Sequence, residues 1–145
     1  MTGTGGILLT SVITVVAGVL IFVTGQLVLH FLIKPMADQR EAIGKAADTL
    51  IFYANIYVNP GVASKEKADE AAEALRQTAA LLRVRTHAVP GYSQLESLGL
   101  VVRRDSIDVA ARAFMGLSNS VHKGDPTENY GWQQQIKETL SLPEI

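Results

Sequence analysis

Residues 1–33 contain no lysine, arginine, aspartate or glutamate. All 13 basic and 14 acidic side chains lie further on, beginning with Lys34 and Asp38. The net charge of −1 therefore belongs to the later part alone, and the 48% hydrophobic average joins two unlike polymers. Cysteine is absent, which excludes disulfides and thiolate metal sites. The opening "MTGTGG" has no basic residue, the apolar run after it is long, and no small-x-small cleavage site follows. A removed signal peptide is not expected. Alternating-polarity runs bounded by turn signals are missing as well, so no sheet is expected. No long Gly/Ser linker divides the chain.

Catalytic signatures are also missing. His30, His87 and His122 are not at metal-ligand spacing with one another or with a carboxylate pair on a helix face. "MTGTGG" lacks the lysine and Ser/Thr of a phosphate-binding loop, and there is no G-x-S-x-G elbow. The serines stand at turns and caps, where they bond to backbone. No enzymatic role, metal or cofactor is expected.

What is present begins with the uncharged run 7–33. As a helix, at about 1.5 Å per residue, it reaches roughly 40 Å, more than the hydrocarbon core needs. The surplus can be taken up by tilt or by the head-group layer. One retained membrane helix is expected over residues 7–34, with a short extracytoplasmic tail at 1–6 and a cytoplasmic helical domain at 35–145. The orientation follows from Lys34, Arg40 and Lys45, which come after the span while no base precedes it. Lys34 would mark the inner interface. Pro35 lacks an amide hydrogen and crowds the preceding turn, which predicts a kink or a break there.

Small and hydroxyl residues recur at sevens inside the run. Thr10, Ala17 and Thr24 form one row, Ser11, Gly18 and Gly25 a second, and Thr14 lies between them. Such residues let helices approach closely in lipid, and the period favours a left-handed bundle. Self-association follows. The plainer alternative is a chance enrichment of residues common in membrane helices. Gln26 and His30, one turn apart, lie away from that stripe. They are either residues of the interface layer or a polar ring in an oligomer, such as a pore constriction.

The later part reads as all-α. "MADQREAIGKAADTLIFYANIYV" offers Ile43, Ala47, Leu50, Ala54, Tyr57 and Val58 as one face, possible as a continuation across Pro35 and stopped by "NPG". A second helix, capped by Ser64, carries Ala68, Ala72, Leu75, Ala79 and Leu82 and closes at "PG". A short helix over 93–98 stops at Gly99. Asp105 or Ser106 caps the next, with Ile107, Ala110, Ala111, Phe114, Leu117 and Val121 inward. A weaker last helix over 129–140 offers Trp132, Ile136 and Leu140. A compact helical domain of this length can bury a real core.

Arg76, Arg83 and Arg85 on one helix, with Arg103 and Arg104 before the next, supply guanidinium forks of the kind that hold phosphate oxygens. They are candidates for a nucleotide or oligonucleotide site. The alternative pairs them with Glu73, Glu96, Asp105 and Asp108 as solvated residues. Near-neutral overall charge argues against broad nucleic-acid binding. In "FYANIYVNP" the asparagines either cap a helix end while the tyrosines pack, or the cluster lines a subunit contact or ligand site.

The segments "FLIKPMADQREAIGKAADTLIFYANIYVNPG" and "GLVVRRDSIDVAARAFMGLSNS" resemble a group of small bacterial single-pass membrane proteins with a helical cytoplasmic domain. The chain is similar in this shape to the effectors of Hailong-type antiphage systems, in which a nucleotidyltransferase makes an oligonucleotide that controls a tetrameric channel. That resemblance implies a homo-oligomeric inner-membrane channel, a tetramer, gated by a nucleotide-type ligand and dependent on the enzyme that makes it. The motifs that carry it are structural and specify no chemistry. A noncatalytic membrane-anchored scaffold presenting a helical interaction domain is the competing expectation.

Overall fold

The apolar run folds as helix α1, Gly3–Val28, in the computed structural model, which describes residues 3–142 and the side chains from residue 6 onward. Valine, leucine and isoleucine make no polar demand, so the backbone's own hydrogen bonds suffice in an apolar solvent. No residue of its apolar window is buried within the chain. Among the described residues the chain is 82% helix without strands.

A break at Pro35 does not occur. One helical rod of 47 residues runs from Gly6 to Phe52. The irregularity lies just before the proline, as a π turn at Leu29–Ile33. Here the Lys34 amide donates to the Leu29 carbonyl, five residues back instead of four. The wider turn relieves the crowding that Pro35 would impose on a regular helix, and the missing N–H costs one bond, not the helix. Helix α2, Lys34–Phe52, then continues the rod.

Leu50 and Tyr57 of the expected face are buried, but ahead of Leu50 the buried face of α2 sits one residue back from the one expected. Ala42, Ala46, Thr49 and Leu50 are buried, as is Gln39; Ile43, Ala47 and Ala54 are half-buried and Val58 is exposed. Hydrophobicity alone favoured the larger isoleucine. The structure instead sets small residues against the alanines of the next long helix and satisfies the polar ones. Gln39 Nε2 donates to Thr86 Oγ1 at 3.1 Å and also to Tyr92 Oη, while Thr49 and Thr78 hydroxyls meet at 3.0 Å. Buried polar groups with partners cost little. The helix also stops earlier than "NPG", at Phe52; Tyr53 separates it from the single turn α3, Ala54–Val58.

Helix α4, Lys65–His87, is the centre of the bundle and packs against both α2 and α6. Its N-cap is Ser64, whose hydroxyl accepts from the Lys67 amide at 3.4 Å. All five residues assigned to its inner face are buried. After the short α5, Tyr92–Ser97, the chain turns at Gly99, whose φ of +68° suits glycine.

Helix α6, Arg104–Ser120, buries the expected Ile107, Ala110, Ala111, Phe114 and Leu117, with Val121 just beyond. Neither Asp105 nor Ser106 caps it. Arg103 occupies the cap position without a side-chain bond, and Asp105 lies in the first turn. The Arg104 amide is satisfied from outside, by the Glu96 carboxylate at 3.3 Å. Helix α7, Pro126–Leu140, begins earlier than expected because Asp125 caps it, accepting from the Thr127 amide at 2.8 Å. Ile136 and Leu140 are buried, and half-buried Trp132 lies over Gly116 of α6.

Candidate functional site

The small-residue face of α1 is fully uncovered. Thr10 donates to the Gly6 carbonyl at 2.9 Å, Ser11 to Ile7 at 2.9 Å and Thr14 to Thr10 at 2.8 Å. These hydroxyls are satisfied inside their own helix, so the face offers shape, not free donors. Together with Gly6, Ile7 and Val15 they line a shallow groove of about 620 Å³. A Cβ on Gly18 or Gly25 would meet nothing within 4 Å. Packing within the chain therefore gives no reason for glycine at either place. Ala17 and Thr24 lie on the same exposed helix.

Gln26 and His30 are both exposed, one turn apart on the rod. His30 Nδ1 is 3.2 Å from the Gln26 carbonyl oxygen, a bond in which the ring donates. His30 is also the second residue of the π turn, while Gln26 lies before it in α1.

The arginines do not converge. Arg83 reaches across to Asp108 of α6 at 3.4 Å, while Arg85 reaches the opposite way to Asp38 of α2 at 3.0 Å. Arg103 stands at the α5–α6 corner near Glu96 at 3.8 Å and Asp105 at 3.9 Å. The Arg104 guanidinium lies 4.9 Å from the centre of the Tyr92 ring, a cation–π contact. Arg76 is exposed on α4. Of the pairings expected for them, those with Asp108, Glu96 and Asp105 form; Glu73 instead accepts from Gln77 at 3.0 Å. No group of three metal-ligating side chains occurs among the described residues.

Concavities follow α2 and α4 instead. A groove of about 460 Å³ is lined by Lys45, Asp48, Thr49, Phe52, Tyr53, Gln77, Thr78 and Leu81. It is continued toward α1 by a hollow with Asp38, Glu41 and Arg85, and away from it by one with Asn55, Asn59, Lys67 and Glu70. "FYANIYVNP" follows the first of its two expected readings in part: Asn59 donates to the Asn55 carbonyl at 3.1 Å and Tyr57 packs inward. Tyr57 is wholly buried and donates to the Leu50 carbonyl at 3.0 Å; burial pushes its phenol up to about 12. Tyr53 donates to Glu70 at 3.0 Å, and burial with that bond raises its phenol too. Phe52, 71% exposed, forms part of the groove wall.

One feature escaped sequence reasoning. Leu32 and Met36, on the rod where it leaves the apolar run, pack against Val89, Tyr92 and Leu95 in a small second core. Tyr92 locks it, accepting from Gln39 and donating to the Val102 carbonyl. The apolar character of 89–102 was the available signal. No protein-family model matches the chain, and no curated protein or solved structure does either.

Proposed function

We propose that copies of this chain assemble through α1 in a membrane and form an ion pathway, with the helical bundle acting as the part that receives a signal. The observation that carries this reading is the unbroken rod from Gly6 to Phe52, apolar and uncovered at one end and built into the bundle at the other. A free small-residue face lets a second helix approach closely in lipid, and an identical copy is the partner always present. Four subunits give a lumen that two or three helices do not. Gln26 and His30 would supply the polar ring, near the bundle end of the span. The signal would be a nucleotide or oligonucleotide, made by a companion enzyme in an antiphage setting, and the membrane would be the bacterial inner membrane with the bundle in the cytoplasm.

The scaffold reading is favoured by one specific observation: Arg83 and Arg85 reach opposite ways, each to a carboxylate, and Arg103 stands apart from both at the α5–α6 corner. A noncatalytic anchor would present the α2–α4 groove to another protein. Ion flux through purified protein in liposomes separates the two. A channel conducts, and its Gln26→Leu and His30→Leu variants change that conductance. A scaffold is silent with every added nucleotide, and a monomeric mass in detergent would remove the channel. Arg83→Ala combined with Arg103→Ala should weaken oligonucleotide binding in a low-salt titration; unchanged binding takes these arginines out of the signal site.

A further inference from the structure

The corner between α5 and α6 carries two leucines that the fold leaves uncovered. Leu98 is 70% exposed and Leu100 is 44% exposed, on either side of Gly99. The corner is not a loose loop. Leu100 donates its amide to the Leu95 carbonyl at 3.0 Å, and Gly99 donates to Glu96 at 3.0 Å. Leu95 in turn belongs to the small core that holds Leu32 and Met36. Leu32 stands two residues before Lys34, inside the uncharged run. Whatever packs near Leu32 shares its depth. If α1 spans a bilayer, the corner must lie at the bilayer surface where the rod emerges.

We propose that this corner is a foot set into the leaflet at the α2 end of the span, with Leu98 and Leu100 among the acyl chains and Arg103 on the phosphates of anionic phospholipid. The inference rests on the reading of α1 as a membrane helix and holds whether or not the assembly conducts ions. Two leucines held in water by a closed turn are a cost that lipid removes. Arg103 is 73% exposed, and its carboxylate contacts are long, at 3.8 and 3.9 Å. Its fork is therefore available to a phosphate, and Lys34 lies at a similar depth on the rod. Two carboxylates share the corner. Glu96 is engaged by Arg103 and by the Arg104 amide, while Asp105 is mostly exposed. The basic excess is small, so apolar contact sets the depth and charge sets the preference for anionic lipid.

The absence of cysteine makes a clean test possible. Single variants Leu98→Cys, Leu100→Cys, Ile21→Cys and Val62→Cys of the full chain are nitroxide-labelled and reconstituted in vesicles of mixed phosphatidylcholine and phosphatidylglycerol. Relaxation by oxygen against a water-soluble nickel chelate then reads the depth of each label. Ile21, 74% exposed on α1, is the lipid reference; Val62, 81% exposed at the opposite end of α4, is the water reference. The labels at 98 and 100 should read lipid, shallower than the one at 21 and clearly deeper than the one at 62. If they match the one at 62 while 21 reads lipid, the foot is overturned and the span stands. If 21 itself reads water, the span reading fails. Leu100→Cys carries the test should Leu98→Cys not fold. Pure phosphatidylcholine, or adding Arg103→Ala, should move the label at 98 toward water; an unchanged depth in both overturns the role of Arg103.

Discussion

Helix α1 and the bundle α2–α7 are made by one chain under opposite rules. In α1 every large side chain faces outward, between 45% exposed at Val28 and 74% at Ile21. In the bundle, Leu50, Leu75, Leu82, Phe114, Leu117 and Ile136 are at most 1% exposed. The bundle supplies its own apolar medium; α1 borrows one. A substitution of the same kind should thus have different consequences in the two parts. In the bundle it changes folding free energy. In α1 it changes only what the helix meets outside its own chain.

The largest effect sharpens that contrast directly. Phe114→Ala should lower the stability of the bundle by about 3–5 kcal/mol, since it removes a fully buried ring and leaves a cavity. Phe22→Ala, at a site 65% exposed, should leave bundle stability within about 0.5 kcal/mol. Denaturant unfolding in detergent, followed by Trp132 fluorescence, measures both. A comparable loss from Phe22→Ala would mean that α1 docks on the bundle and that the two parts are not independent.

Next in size is an alkaline transition confined to the bundle. Tyr57 is held up to about 12 by burial, while an unfolded phenol titrates near 10. The unfolded chain therefore loses its proton first. The stabilisation is complete below pH 10 and is lost as pH rises from there to about 12, amounting to about 2–3 kcal/mol. Tyr57→Phe should flatten this part of the stability–pH curve. It should also cost about 1 kcal/mol at neutral pH, because the bond to the Leu50 carbonyl goes. An unchanged alkaline slope in the variant would assign the transition to other groups.

The helical class, the apolar span, the faces of α4 and α6 and the Ser64 cap were legible in the sequence, because each rests on local periodicity or on one side chain bonding a nearby amide. Leu50 of the α2 face was placed correctly, but the part before it was misplaced by one residue for a physical reason. Gln39 and Thr49 look like surface residues until Thr86, Tyr92 and Thr78, distant in sequence, supply their bonds. Pro35 was expected to kink or break the helix, with continuation across it left possible; the helix continues, and the π turn that accommodates the proline leaves no sequence mark of its own. The arginines do not gather at one place. Arg83 and Arg85 are neighbours in sequence, yet two positions on a helix differ by about 200°, and each found a carboxylate on a different neighbour. Membrane assembly, by contrast, was argued from spacing alone, and the glycines of α1 gain from the fold only the observation that nothing within their own chain explains them.

Two glycine substitutions turn that last point into the smallest and most discriminating comparison. A Cβ at Gly116 would lie 2.8 Å from the Trp132 ring, closer than atoms tolerate, and the indole is stiff and half-buried between α6 and α7. Gly116→Ala gains about 1 kcal/mol of helix propensity and meets an overpacking penalty of about 1–3 kcal/mol. A net loss of up to about 2 kcal/mol in bundle stability is expected, and a gain would show that Trp132 swings aside. Gly18→Ala makes the same chemical change where no atom of the chain is within 4 Å. The bundle should unfold as before, since α6 and α7 are untouched. What should change is association: a methyl group on the small-residue face holds two helices further apart, so the detergent-solubilised mass should shift toward monomer on dilution. If Gly18→Ala leaves the mass of the particle unchanged at every dilution, the copies do not meet along that face, and any pathway they form is lined or sealed by another side of α1.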